Sequence, residues 1–267
     1  MQDNRPLWVP SAEAVAKSPI HAFMARCNAD FGLSLSGFED LHAWSVAERE
    51  NFWSAVWDFC GVKGERGAEV LIDGDRMLEA RFFPNATLNF AENLLSGRGE
   101  GDAIIFRGED KADDRWSWDR LRALVSKLQQ AFKAQGIGEG DRIAAMMPNM
   151  PETVAAMLAA ASIGAIWSSC SPDFGEQGVL DRFGQIGPKL FIACDAYWYS
   201  GKLQDVGPKV AAVAKSLGVP AIVVHYAGDA EAVARQTPDA STLEAFVAPY
   251  QVKEVEFKPL AFAHPLY

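Results

Sequence analysis

Cysteine is scarce and scattered: Cys27, Cys60, Cys170 and Cys194 are the only four in 267 residues. None has the Cys-x-x-Cys spacing of a zinc site or a redox dithiol, so they read as buried free thiols in a reducing compartment. His21, His42, His225 and His264 are equally dispersed, without an i, i+4 pair, and no metal site is expected. The usual glycine cradles for phosphate are missing, since neither Gly-x-Gly-x-x-Gly after a strand nor Gly-x-x-x-x-Gly-Lys-Ser/Thr occurs. Gly136, Gly138 and Gly140 follow a helical pattern and precede a strand, the wrong order for anion capture at a helix N-terminus. No Gly-x-Ser-x-Gly elbow marks a nucleophile, and no carboxylate pair is set by a motif.

Basic clusters interleaved with aromatics are absent as well, and the formal charge of -10 is spread along the chain. That excludes nucleic acid as the expected partner and leaves solubility as the meaning of the acidity. The longest apolar stretch, residues 153–169, is broken by Ser162 and Gly164 and is too short to span a bilayer. The N-terminal residues lack a basic start followed by a sustained apolar run, so no secretory signal is expected. A composition of 49% hydrophobic and 22% charged residues is that of a folded soluble chain, here read as cytoplasmic.

What is present falls into two rhythms. Residues 11–95 read as helices with irregular connections, and from Gly101 strands alternate with amphipathic helices. The expected division is a helical region over residues 1–100 and an α/β region over 101–267, with the boundary in residues 96–101. In the first region Ser45-x-x-Glu48 reads as a capping box opening a helix that Gly61 ends. Phe52, Trp53, Val56, Trp57, Phe59 and Cys60 then form an apolar stripe expected to pack on the next domain.

In the second region the spacing predicts strands at 103–106, near Trp116, and at 142–147, 165–169, 190–194 and 221–225. Helices are expected from Ser117 to Gly136, from Pro151 to Ile163, up to Phe183, and over 209–217 and 242–247. Residues 228–241 read as a solvated surface insertion. Strand-helix-strand units at this pace imply a doubly wound, mainly parallel sheet with helices on both faces. Ligands approach such sheets at the carboxyl ends of the strands, here the loops after Met147, Ser169 and Cys194.

Composition and spacing name no activity. The string Ala80-Arg81-Phe82-Phe83-Pro84-Asn85-Ala86-Thr87-Leu88-Asn89-Phe90-Ala91-Glu92-Asn93-Leu94-Leu95, however, resembles the N-terminal signature of the acetyl- and acetoacetyl-CoA synthetases. Arg115-Trp116-Ser117-Trp118-Asp119-Arg120-Leu121, Met147-Pro148-Asn149-Met150-Pro151-Glu152, and Ala161-Ser162-Ile163-Gly164-Ala165-Ile166-Trp167 are similar to the following core segments of the adenylate-forming superfamily. With Ser168-Ser169-Cys170-Ser171-Pro172-Asp173-Phe174-Gly175, the order is most similar to the acetoacetate-activating members.

The resemblance implies the N-terminal portion of an AMP-forming acid:CoA ligase. Its substrates would be acetoacetate, ATP and CoA, with Mg on the nucleotide, passing through an acyl-adenylate. Acetate or propionate is the alternative acid, and a non-catalytic binding or assembly module the alternative role. It also implies that the phosphate-binding loop and the adenylation lysine lie beyond Tyr267, so the chain alone is expected to be inactive and no catalytic residue is assigned. What remains is an edge of the CoA site: Ser171, Pro172 and Asp173 in the loop that passes the pantetheine arm, and Tyr199 and Lys202 at positions of two arginines that meet the CoA 3'-phosphate. Only Lys202 keeps the charge, as a point cation without the guanidinium fork, and a solvated surface lysine stands beside that role. Asp173 close to a phosphate would be unfavourable.

Overall fold

The computed structural model describes residues 6–97 and 101–267. Arg98, Gly99 and Glu100, within the expected boundary segment, lie outside the described residues. The chain divides into two compact units, residues 1–62 with 66–86, and residues 63–65 with 87–267.

Among its described residues the first unit carries four helices: α1 (Ala12–Ala16), α2 (Pro19–Phe31), α3 (Phe38–Ala47) and α4 (Arg49–Cys60). Ser18 caps α2 by accepting from the His21 N–H, Pro19 sits at its first turn, and Gly32 ends it in the left-handed conformation. The capping box expected at Ser45 does not form. Ser45 lies inside α3, where its hydroxyl donates back to the His42 carbonyl, because Leu41 and Trp44 on the buried face extend the helix upstream. The break comes at Glu48 (φ -115°, ψ 53°), which ends α3 and opens α4; Gly61 then ends α4 as expected. Part of the aromatic stripe of α4 packs within its own unit, with Trp53 and Phe59 left 40% and 38% exposed. Phe52 meets Phe23 and Trp44 edge-on at 5.9 Å, Trp53 meets Phe82 at 5.8 Å, and Trp57 meets Phe83 at 4.9 Å. Cys27 is buried as expected, but Cys60 is exposed at the end of the helix.

After α4 the chain lends Gly64–Glu65 (β1) to the second unit and returns for the hairpin of β2 (Leu71–Ile72) and β3 (Arg81–Phe82). The second unit continues with β4 (Thr87–Leu88) and α5 (Phe90–Leu95). Between them Asn89, 1% exposed, caps α5 with its side-chain oxygen and donates its amide to the carbonyls of Ala161, Ser162 and Lys258. An antiparallel hairpin follows, β5 (Asp102–Gly108) and β6 (Ala112–Ser117), joined by the charged turn Glu109-Asp110-Lys111. Ser117 caps the long helix α6 (Trp118–Ala134) by accepting from the Arg120 N–H.

The remaining elements are β7 (Arg142–Met146), α7 (Pro151–Ser162), β8 (Ile166–Cys170), α8 (Glu176–Phe183), β9 (Leu190–Cys194), β10 (Ala196–Tyr199), β11 (Lys202–Asp205), α9 (Gly207–Leu217), β12 (Ala221–Val224), α10 (Ala230–Gln236), β13 (Ala240–Thr242), α11 (Leu243–Val247) and β14 (Leu260–Ala261). β14 joins β4 and β1 in a small antiparallel sheet. Five strands form the main sheet in the order β13-β12-β9-β7-β8, with every pairing parallel. Counting only these five, the order from β8 is 2-1-3-4-5. β7 and β9 are apolar and almost wholly buried, as central parallel strands covered on both faces must be. The crossover through α7 runs one way along the sheet, and those through α8, α9 and α10 run the other. Right-handed crossovers therefore place these two groups on opposite faces.

One further expectation needs correction, and one element was not expected. Residues 228–241 are not a loop insertion: Asp229 caps α10 through the Ala232 N–H, and β13 adds the fifth strand. Alanine-rich helical spacing was hidden among loop-forming Asp, Gly and Thr. The hairpin β10/β11, directly after β9, has no counterpart in the sequence reading.

Candidate functional site

In the order 2-1-3-4-5 the chain leaves β7 and β9 in opposite directions, so the carboxyl ends of these two neighbours flank a crevice. Three connections border it, and all three were singled out from sequence. The first, after β7, is pinned by Thr153, whose hydroxyl donates to the Pro148 carbonyl at 2.8 Å. Glu152 opens α7 there with one oxygen buried and unpartnered, and burial pushes its carboxyl above the usual carboxylate range.

The second connection, after β8, holds Ser171, Pro172 and Asp173. Ser171 and Asp173 are exposed and Pro172 is buried. A residue outside the sequence reading shapes this loop: Lys209, in the first turn of α9, donates to the carbonyls of Pro172 and Phe174 at 2.5 and 2.7 Å. Burial lowers the ammonium's pKa, opposed by the negative character of neighbouring groups. Cys170 and Cys194, buried beside it at the strand ends, are driven by desolvation up to about 11 and about 12, so neither is a thiolate at neutral pH.

The third connection begins at Asp195. Its side chain is fully buried, and it accepts from the N–H groups of Ala196 (2.7 Å), Tyr226 (3.0 Å) and Ala227 (3.1 Å) and from His225 Nδ1 (2.8 Å). Burial acts to raise this carboxyl, but the Ala227 and Tyr226 amides and His225 outweigh it and hold the group below the usual carboxylate range. Asp195 thus anchors the root of the hairpin β10/β11, whose strands are fully paired from Ala196↔Asp205 to Tyr199↔Lys202.

Ser200 and Gly201 form its two-residue turn, both left-handed (φ 49° and 72°), the conformation that matches strand twist in a tight hairpin. Tyr199 and Lys202 therefore face each other across the last pair, both exposed. Tyr197, lower on the hairpin, lies close enough to Asp173 for the carboxylate to raise its pKa, after burial as the larger cause. The geometry thus brings the 171–173 loop beside the hairpin root, while Tyr199 and Lys202 stand at its far end. The tip is held by the β5/β6 turn: Glu109 accepts from Ser200 N–H at 2.7 Å and from Gly201 N–H at 2.8 Å, one oxygen each. Gly108, next in the chain, leaves room for Tyr226, because a Cβ there would fall 2.1 Å from the Tyr226 hydroxyl.

Neither Lys209 nor Asp195 was legible beforehand, since the partners of Lys209, and those of Asp195 apart from Ala196, lie 30 or more positions away. The hairpin left a signal, aromatic Tyr197-Trp198-Tyr199 followed by Ser-Gly and a second strand-like run. Among the described residues no group of three or more His, Cys, Asp or Glu side chains is placed to hold a metal ion, and no helix is long and apolar enough to cross a membrane.

Residues 95–262 match the family model of the AMP-binding enzymes, and residues 38–94 that of the acetyl-coenzyme A synthetase N-terminus. The chain is 63% identical over 267 residues to acetoacetyl-coenzyme A synthetase of Rhizobium meliloti (strain 1021), covering 100% of this chain and 41% of that protein. It is 34% identical over 276 residues to malonamoyl-CoA synthetase vrtB of Penicillium aethiopicum, covering 98% and 38%. The solved acetoacetyl-CoA synthetase from Streptomyces lividans superposes with a TM-score of 0.87 at 35% identity, over 98% of this chain and 40% of that one. The chain spans about two fifths of the length of these relatives. With the matched model covering residues 95–262, the chain belongs to the AMP-binding enzyme family.

Proposed function

We propose that this chain is part of an AMP-forming acid:CoA ligase that converts acetoacetate, ATP and CoA to acetoacetyl-CoA, AMP and pyrophosphate through an acyl-adenylate. Its share in that reaction is a border of the CoA site. The observation that carries the reading is the 63% identity, over the full chain, to an acetoacetyl-coenzyme A synthetase. The malonamoyl-CoA synthetase at 34% marks how far the same segment can serve another acid.

Within this reading Ser171, Pro172 and Asp173 border the pantetheine arm on a loop that Lys209 holds by two carbonyls. Tyr199 offers one hydroxyl and Lys202 one point charge at the phosphate end. CoA fits these residues in outline: an exposed cation at a hairpin tip, joined by a rigid hairpin to a loop beside the sheet's carboxyl ends. Among the described residues no group of three or more His, Cys, Asp or Glu could hold Mg, and adenylation is assigned to other residues of the ligase.

The test is ATP–pyrophosphate exchange. The chain alone is expected to give none with acetoacetate. A chimera in which it replaces the matching 41% of the Rhizobium meliloti relative is expected to restore both exchange and acetoacetyl-CoA formation. Exchange by the chain alone, or a folded chimera that activates acetate and ignores acetoacetate, contradicts the proposal.

A further inference from the structure

The tip of the β10/β11 hairpin has the makings of an anion site, and the protein already fills it. Two consecutive left-handed residues, Ser200 and Gly201, aim their N–H groups the same way. Successive amides arranged so form a concavity that binds anions. Lys202 adds a cation beside the turn; Lys111, 6.0 Å from the Trp198 ring, is already ion-paired with Asp110 at 3.2 Å. The occupant is the Glu109 carboxylate, one oxygen on each amide. Glu109 is itself left-handed (φ 54°), an unfavourable conformation for a non-glycine residue that the facing turn over-determines.

We infer that Glu109 is a built-in competitor for this anion site, and that it sets how much a phosphate monoester on the incoming ligand contributes to binding. The inference rests on the CoA reading above and adds to it a residue controlling specificity. Glu109 is exposed, so its hold on the amides is solvated, and a phosphate carried by a bound ligand can displace it where free inorganic phosphate does not. To do so the phosphate must first free both donors and then lie near a displaced carboxylate and Asp110. The consequence is weak discrimination between CoA and dephospho-CoA, which differ only in the 3'-phosphate. Glu109→Gln keeps the length and one acceptor but removes the charge. It is expected to favour CoA over dephospho-CoA by about tenfold more than the unaltered chain does, the worth of one charge-assisted hydrogen bond regained.

The experiment is backbone amide NMR on the 267-residue chain, titrated separately with CoA, dephospho-CoA and inorganic phosphate, for the unaltered protein, Glu109→Gln and Glu109→Ala. In the unaltered chain the Ser200 and Gly201 signals are expected to ignore inorganic phosphate, and CoA and dephospho-CoA to bind within about threefold of each other. In both variants these two signals are expected to move with phosphate. Phosphate shifting them equally in all three proteins, or in none, overturns the inference. So does loss of the whole hairpin's signals in both variants, since Glu109 would then be only a clasp. Were phosphate to act only on the variants while neither CoA form reached the hairpin, the competitor would stand and the CoA reading would fall. CoA engaging the tip equally with and without Glu109 would leave the CoA reading and remove the competitor.

Discussion

Replacing Asn89 by alanine should cost the fold about 3 kcal/mol, making it one of the most damaging single changes available. The side chain does two jobs at a position 1% exposed. Its oxygen accepts from the Ala91 and Glu92 N–H groups (2.9 and 3.3 Å), capping α5, and its amide donates to Ala161 O (3.0 Å), Ser162 O (3.2 Å) and Lys258 O (2.9 Å). One side chain therefore satisfies the start of α5, the end of α7 and the segment leading to β14. Alanine removes a cap worth about 1 kcal/mol and takes the Asn89 donor from three carbonyls, of which Ala161 O keeps the Gly164 N–H and Ser162 O the Lys258 N–H, at about 1 to 2 kcal/mol more.

Asn89→Asp separates the two jobs, because a carboxylate still caps but cannot donate. It places negative charge against three carbonyl oxygens, which raises that carboxyl's pKa in the fold. The penalty is then present at neutral pH and relieved as pH falls through the raised value. Urea unfolding at neutral and mildly acidic pH should show Asn89→Asp recovering part of its loss while Asn89→Ala does not. Equal losses at both pH values would mean that the three carbonyl contacts contribute little.

Asp195→Ala should be of similar size, about 3 kcal/mol, and should strip the hairpin from its root. The carboxylate answers three backbone donors and His225 from a fully buried position. Its removal takes that acceptor from all three amides. Asp195→Asn keeps the volume and one acceptor, so a smaller loss is expected. The pH dependence follows from a folded pKa held below the ordinary value. The stabilisation is fully present above the ordinary carboxylate range and is lost as pH falls below it, through the depressed folded value. Hydrogen exchange should report the change locally, with the amides of residues 196–205 losing protection in Asp195→Ala while those of β7 keep theirs. Uniform loss across the main sheet would show that Asp195 supports the domain as a whole and not the hairpin.

The elements legible in the sequence share a cause. β9 was readable at Leu190–Cys194 because a central parallel strand is an unbroken apolar run. α6 was readable because Leu121, Val125, Leu128 and Phe132 keep helical spacing behind the Ser117 cap. Where reading failed, the deciding contact was distant or the local pattern misled. Ser45 and Glu48 have the spacing of a capping box, yet burial of Leu41 and Trp44 carries the helix past Ser45. The hairpin β10/β11 is exposed over much of its length, so it lacks an apolar signature, and what fixes it is Asp195 below and Glu109 above. Resemblance found Tyr199 and Lys202 without finding the hairpin that sets them face to face. Local pattern thus yielded the sheet that forms the crevice, while the residues that shape its border depend on tertiary contacts.

The most direct test of the central claim, that the hairpin tip faces the CoA phosphate end, is Lys202→Ala in the active chimera. Loss of one exposed cation from a phosphate contact should raise the KM for CoA about threefold and leave acetoacetate-dependent ATP–pyrophosphate exchange unchanged. An unaltered CoA requirement, or an equal fall in exchange, would contradict the account.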